Sequence, residues 1–160
     1  MTDTENFTTS FLVDKSPADV IAAINDVRGW WSEDITGPTD SVGQAFDYRY
    51  HDAHRCRIRV TEIVPGKKVE WHVVENFFSF TQDKSEWTGT DIIFDVAETS
   101  EGTKVTLTHV GLVPHYECFA ICSDGWTTYI NGSLRALITT GKGNPNVGKA
   151  ITASEQALSA

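Results

Sequence analysis

The sequence predicts an α+β domain: a curved six-stranded antiparallel sheet wrapped around one long C-terminal helix, with a short helical segment after the first strand. Three observations predict it. Apolar and polar residues alternate through successive short segments between residues 42 and 111, the period-two mark of strands with one wet and one buried face. The links between these segments are short, which makes neighbouring strands antiparallel. From Tyr116 to Gly141 the period lengthens. At about 100° per residue Phe119, Cys122, Trp126, Tyr129, Ile130, Leu134 and Leu137 share one broad face, with Ser133 among them, as in a helix laid on a large surface. A twisted sheet of this size curls, and only the long helix is large enough to cover its concave side.

Taken in order, Phe7 to Val13 (FTTSFLV) is the first strand. Ser16-Pro17-Ala18-Asp19 opens a helix: Ser16 as N-cap, Pro17 at the first helical position, Asp19 near the positive end of the dipole. Val20, Ile21, Ile24 and Val27 supply its apolar face and Gly29 ends it. Trp30 and Trp31 stand in a turn region that runs through Gly37-Pro38. The second strand, Val42 to His51, turns Val42, Phe46, Tyr48 and Tyr50 to one side. The third, Arg55 to Val64, sends Cys56, Ile58 and Val60 one way and Arg55, Arg57 and Arg59 the other. Pro65-Gly66-Lys67 is a hairpin turn into Lys68 to Glu75, where Val69, Trp71 and Val73 point inward. Asn76 to Glu86 loops out. Trp87 to Glu98 places Ile92, Phe94 and Val96 inward, Ser100-Glu101-Gly102 turns the chain, and Thr103 to Gly111 places Val105, Leu107 and His109 inward.

The long helix stops at Gly141, a C-terminal cap, with Gly143 and Pro145 beyond it. Ser123 or Asp124 would cap a shorter version. Gly125 and Gly132 each cost a helix about 1 kcal/mol relative to Ala, so their presence suggests a close approach of another element. Residues 1–146 form a single domain; 147–160 are a tail or a short extra helix.

Charge narrows the function. Lys and Arg number 13 against 22 Asp and Glu, a net charge of −9. Such a surface disfavours nucleic acid and anionic membranes, because neutralising phosphates needs a basic face. No apolar run approaches the roughly 18 residues of a membrane span, and MTDTENFTTS has neither the basic nor the apolar region of a signal peptide. Cys56, Cys118 and Cys122 make no disulfide framework. The expectation is a reducing, cytoplasmic setting. No cofactor motif appears: no Gly-rich loop follows a strand and opens a helix, and Gly141-Lys142-Gly143 comes after a helix.

The stretches FTTSFLVDKSPADVIAAINDVRGWW (7–31), EIVPGKKVEW (62–71), TDIIFDVAETSEGTKVTLTHVGL (90–112) and GWTTYINGSLRALITTGKG (125–143) resemble the helix-grip superfamily of START and birch-pollen-allergen-type domains. More narrowly they resemble single-domain proteins similar to the C-terminal domain of the activator of the heat-shock protein 90 ATPase. The resemblance implies a helix-grip fold and a choice of roles. Relatives include lipid and hormone carriers, polyketide cyclases and aromatases, and chaperone partners, with no shared catalytic motif.

The inward faces carry polar groups and rings: Tyr48, Tyr50, His54, Cys56, His109, His115, Cys122, Trp126 and Tyr129. Buried polar groups need partners. Either they line a pocket for a hydrophobic or aromatic small molecule, or they bond to backbone and trapped water within a filled core. The pocket reading selects Tyr48, Tyr50, Phe94, His109, His115, Cys122, Trp126, Tyr129 and Ile130 as ligand-binding. His109 is the principal polar candidate, able to hold a ligand hydroxyl or act as an acid/base group. His115, Cys118 and Cys122 are spaced for a metal test, but no paired Cys-x-x-Cys supports one, and no metal is expected. Trp30-Trp31 and Phe77-Phe78-Ser79-Phe80 could line a pocket mouth, form a partner surface or plug the sheet ends. The row of Arg55, Arg57 and Arg59 could bind an acidic partner or be a solvated outer face. Three functions therefore stand: a small-molecule carrier, a chaperone-associated interaction module, and a cyclase or hydrolase using His109.

Overall fold

Alternation sets the sheet. In the computed structural model, which describes residues 6–146, the strands are β1 (Phe7–Val13), β2 (Ile35–Thr36), β3 (Ala45–Tyr50), β4 (His54–Val64), β5 (Lys68–Phe78), β6 (Asp91–Thr99) and β7 (Gly102–Val110). They form one antiparallel sheet in the order β1-β7-β6-β5-β4-β3-β2. The sheet has seven strands rather than the expected six. The extra one, β2, pairs Ile35 with Tyr48 and Thr36 with Asp47, and two residues are too few to show a period. Register shifts between β4 and β5 at Arg57/Ile58 and Val60/Glu62 add bend where the sheet must curve.

Among the strands, three boundaries depart furthest from the sequence reading. Val42 is exposed and precedes β3, because Gly43 takes a positive φ of 89° and the chain turns there. β5 runs on to Phe78, held along its length by the equally long β4. Trp87 belongs to a loop, not to β6, yet is buried.

Helices α1 (Pro17–Asn25) and α2 (Val27–Trp30) follow β1, so the first helix stops at Asn25 and Gly29, expected to end it, lies inside α2. Ser16 caps α1 as expected, its hydroxyl accepting from the Asp19 amide at 3.1 Å. The long C-terminal element begins at Phe119 rather than Tyr116. Tight turns bonded from Tyr116 N to Val113 O and from Phe119 N to Tyr116 O precede it. It consists of α3 (Phe119–Thr127), a π-helical segment (Thr128–Leu134) and α4 (Arg135–Thr140), closed by Gly141 at φ 83°. The expected face is buried at Cys122, Trp126, Tyr129, Ile130, Ser133 and Leu134, while Phe119 and Leu137 are only partly buried and Ile138, not expected there, is buried in the last turn. The close approach expected at Gly125 and Gly132 is absent: a Cβ at either would meet nothing within 4 Å. Gly132 instead lies inside the π segment.

Glycine does matter just past the helix. The chain from Gly141 to Asn146 runs back along the π segment, and Gly143 packs on the Gly29 carbonyl and on Ser133 so closely that any Cβ would overlap them. Asn144 N donates to Ser133 Oγ and Asn146 N to the Trp31 carbonyl, 2.7 and 2.8 Å. This strap buries one side chain, the polar Asn146. The tail or extra helix expected at 147–160 lies outside the described residues.

Candidate functional site

Between sheet and helix the space is filled by aromatic rings in continuous contact. Trp30, on α2, stacks on Trp31 and Trp71 (6.1 and 6.3 Å between centroids) and meets Phe94 edge-on. Trp31 is the hub. It lies 4.3 Å from Tyr48, 5.2 Å from Trp126 and 6.2 Å from Trp71, so it joins β3, α3 and β5. From Tyr48 the chain of rings passes to His54, then to Phe78 and Trp87, and Trp87 stacks on Trp126 at 5.7 Å with the planes nearly parallel. Offset and edge-on pairs of this kind add about 0.5–1.5 kcal/mol each beyond their buried area.

His109 sits at one end of this chain with both nitrogens committed. An indole can only donate, so the Trp126 N–H at 3.0 Å makes His109 Nδ1 the acceptor. The ring proton therefore resides on Nε2, which donates to Thr90 Oγ1 at 2.8 Å, and the Thr90 hydroxyl donates to the Trp87 carbonyl at 2.6 Å. Every member of the series is satisfied. Burial, with a smaller push from His54, lowers the His109 pKa to about 3, so the ring is neutral. His54 is likewise neutral: burial lowers it to about 4 against the opposing Asn76 bond, its Nε2 meeting Asn76 Oδ1 at 2.8 Å.

Other donors in the interior are not matched. Trp71 Nε1, Trp87 Nε1 and Asn76 Nδ2 are buried without a hydrogen-bond partner. The Cys122 thiol is near enough to Trp87 to feel it, but the geometry is not that of a bond. Burial, then the adjacent Cys118 thiol, push Cys122 upward, and burial pushes Cys56 well above the usual thiol range. Both are thus apolar fillers rather than thiolates.

Of the nine expected ligand-binding positions, Tyr48, Tyr50, Phe94, His109, Cys122, Trp126, Tyr129 and Ile130 are buried. His115 is a correction: it lies in the turns before α3, exposed beside the Tyr116 ring. The helical phase that was to carry it inward has not begun. Seven of the eight belong to one continuous core, and His109 joins it through Trp87 and Trp126. Tyr48, Trp126 and His109 border Trp31 and Trp87, Phe94 packs with Trp30 and Trp71, and Tyr50 meets His51 at the β3–β4 turn. Among the described residues no three His, Cys, Asp or Glu side chains are grouped to hold a metal. On the outer face Arg57 pairs with Asp47 and Arg49 with Asp52, at 2.9 and 2.7 Å, while Arg55 lies over the Phe77 ring. Of the row Arg55, Arg57 and Arg59, Arg55 and Arg57 are thus engaged within the sheet's own surface.

Sequence reasoning missed a reciprocal pair of carboxylates. Buried Glu86 accepts from Glu117 N and Cys118 N, 2.7 and 3.0 Å, at the start of α3. Glu117 returns two bonds, accepting from Gln82 N and Asp83 N at 2.9 Å each. Those two backbone bonds, Asp83 first, hold Glu117 below the usual carboxylate range. The pair staples the β5–β6 loop, and with it Trp87, onto the helix start. Glu86→Ala is expected to cost about 2–3 kcal/mol, because it strips a charged acceptor from two amides. Urea denaturation reads the loss, and a change under ~0.5 kcal/mol would show that solvent replaces the carboxylate freely.

A curved antiparallel sheet closed over one long helix, with an interior packed by aromatic rings, defines a START-like helix-grip protein. The chain belongs to the family described as Activator of Hsp90 ATPase homolog 1-like protein, whose model matches residues 20–139. Its fold is similar to the solution structure of the Aha1 dimer from Colwellia psychrerythraea (25% identity, TM-score 0.69, covering 87% of this chain and 99% of that one). It also resembles protein MLL2253 from Mesorhizobium loti (14%, TM-score 0.63, 79% and 92%). A third likeness is DynU16, a putative protein in the dynemicin biosynthetic locus (16%, TM-score 0.61, 86% and 48%). A search of curated proteins finds no match. No described helix is long and apolar enough to cross a membrane.

Proposed function

We propose that this chain binds an aromatic small molecule between the sheet and the long helix and does not transform it. One observation carries the reading: an interior of stacked rings holds buried N–H donors, on Trp71, Trp87 and Asn76, with no acceptor. A planar ligand bearing carbonyl or hydroxyl oxygens would stack on the rings and supply those acceptors. The π segment of the gripping helix supports it, since such segments recur at functional sites. Catalysis by His109 is disfavoured because both of its nitrogens already serve Trp126 and Thr90. Titrating tryptophan emission with a panel of polycyclic aromatic ketones and phenols, with fatty acids as controls, is expected to give quenching at roughly micromolar concentrations. A panel that moves neither emission nor melting temperature up to its solubility limit removes the reading.

A second reading comes from the family's description, which names an activator of a chaperone ATPase. In it the domain docks on a chaperone of the Hsp90 class. Added to that chaperone, the protein would raise its ATPase rate. An unchanged rate and no complex on sizing at ~100 μM, far above a micromolar Kd, would exclude it.

A further inference from the structure

We propose that residues 141–146 are a removable strap over the ring-lined interior, and that lifting the strap is how a ligand gains entry; the entry half rests on the binding reading above. The strap holds the hub of the interior in place. Asn146 N donates to the carbonyl of Trp31 at 2.8 Å and Asn146 O accepts from Glu33 N at 2.9 Å, so the strap forms a parallel bridge at Ser32. The Asn146 side-chain amide donates to the Tyr129 hydroxyl at 3.3 Å, on the π segment. Ser133, also on the π segment, donates to the Trp30 carbonyl at 2.7 Å and accepts from Asn144 N at 2.7 Å. One short segment thus ties the middle of the long helix to the backbone that carries Trp30 and Trp31. Trp31 in turn separates Tyr48, Trp71 and Trp126.

Two features make the strap separable from the fold. Its one fully buried side chain is the polar Asn146 and its Pro145 is only half-buried, so the force that holds the core contributes little to holding the strap. It also lies beyond residue 139, where the match to the family ends. Segments with few buried apolar contacts open locally while the core stays folded. Lifting this one withdraws Asn146 from the Trp31 carbonyl, the Glu33 amide and the Tyr129 hydroxyl together, and so uncouples the Trp31 backbone from the π segment.

Amide hydrogen exchange on the full chain, with no ligand, is the test. The Glu33 and Asn146 amides are expected to exchange at least about tenfold faster than the Val60 and Leu107 amides of the sheet. Gly143→Ala cannot seat against Gly29, so it is expected to bring Glu33 to loop-like exchange and to raise acrylamide quenching of tryptophan emission, with unfolding still cooperative. Should that variant not fold, Asn146→Ala supplies the same two readouts. Exchange of Glu33 as slow as that of Val60, or a variant with unaltered Glu33 protection and quenching, overturns the strap. In the titration, Gly143→Ala is expected to speed ligand association about tenfold, and an unaltered association rate overturns the entry role. A panel that fails to bind sinks the ligand reading alone, because the exchange experiment contains no ligand; slow exchange in a protein that does bind sinks the strap alone.

Discussion

Lowering the pH from 7 to 5 is expected to cost this protein about 3–4 kcal/mol of stability. The cause is a pair of neutral histidines, His109 wholly buried and His54 partly exposed at its edge. His109 has its pKa lowered by burial from 6.5 to about 3, and His54 from 6.5 to about 4. Below pH 6.5 the unfolded chain takes up a proton at each ring, while the folded chain does not until its own lower value is reached. The unfolded state therefore binds more protons across this window, and stability falls as the pH falls. The contribution is complete above about pH 6.5 and is lost progressively toward pH 4 for His54 and pH 3 for His109. Each ring accounts for roughly half of the loss at pH 5. Urea denaturation at the two pH values measures the total. His54→Gln keeps an N–H for Asn76 and removes one titration, so it is expected to halve the slope. Equal stability at pH 7 and pH 5 would mean that neither ring is held neutral.

Trp30→Ala is expected to destabilise the fold by about 4 kcal/mol, near the upper end for a single core truncation. The ring is wholly buried, stacks on Trp31 and Trp71, and meets the edge of Phe94. Its indole N–H also donates to the Ile24 carbonyl at 3.1 Å, near the end of α1. The truncation leaves a large cavity between rigid rings that cannot collapse into it. Trp30→Phe, which keeps the stacking and loses only the hydrogen bond and some volume, should cost about a third as much. Thermal and urea unfolding compare the two, and a loss under ~1 kcal/mol for the alanine variant would show that the rings repack.

How much of this was legible can be judged element by element. Cys56, Ile58 and Val60 against Arg55, Arg57 and Arg59 state the two faces of β4 outright, because one face is wet and the other dry. The Ser16-Pro17 start of α1 and the Gly141 stop of α4 were equally plain, since both are local capping chemistry. The burial of Tyr48, Phe94, His109, Trp126, Tyr129 and Ile130 followed from phase alone. His115 failed because phase was extended through turns that had not yet become helix. Trp30, Trp31 and Trp87, which knit the interior together, sit outside any regular element or at its very end, where no period points.

Local chemistry in the chain thus determined which faces turn inward, where most elements begin and end, and that one helix lies on one sheet. Only the tertiary structure decided what the interior is. The partners of His109 come from the α3 helix and the β5–β6 loop, those of Glu86 from thirty residues onward, and those of Asn146 from Trp31 and Tyr129. Periodicity reports the side of an element on which a residue lies. It carries no record of which distant donor meets which acceptor, and that choice made His109 a satisfied core ring and Asn146 a latch.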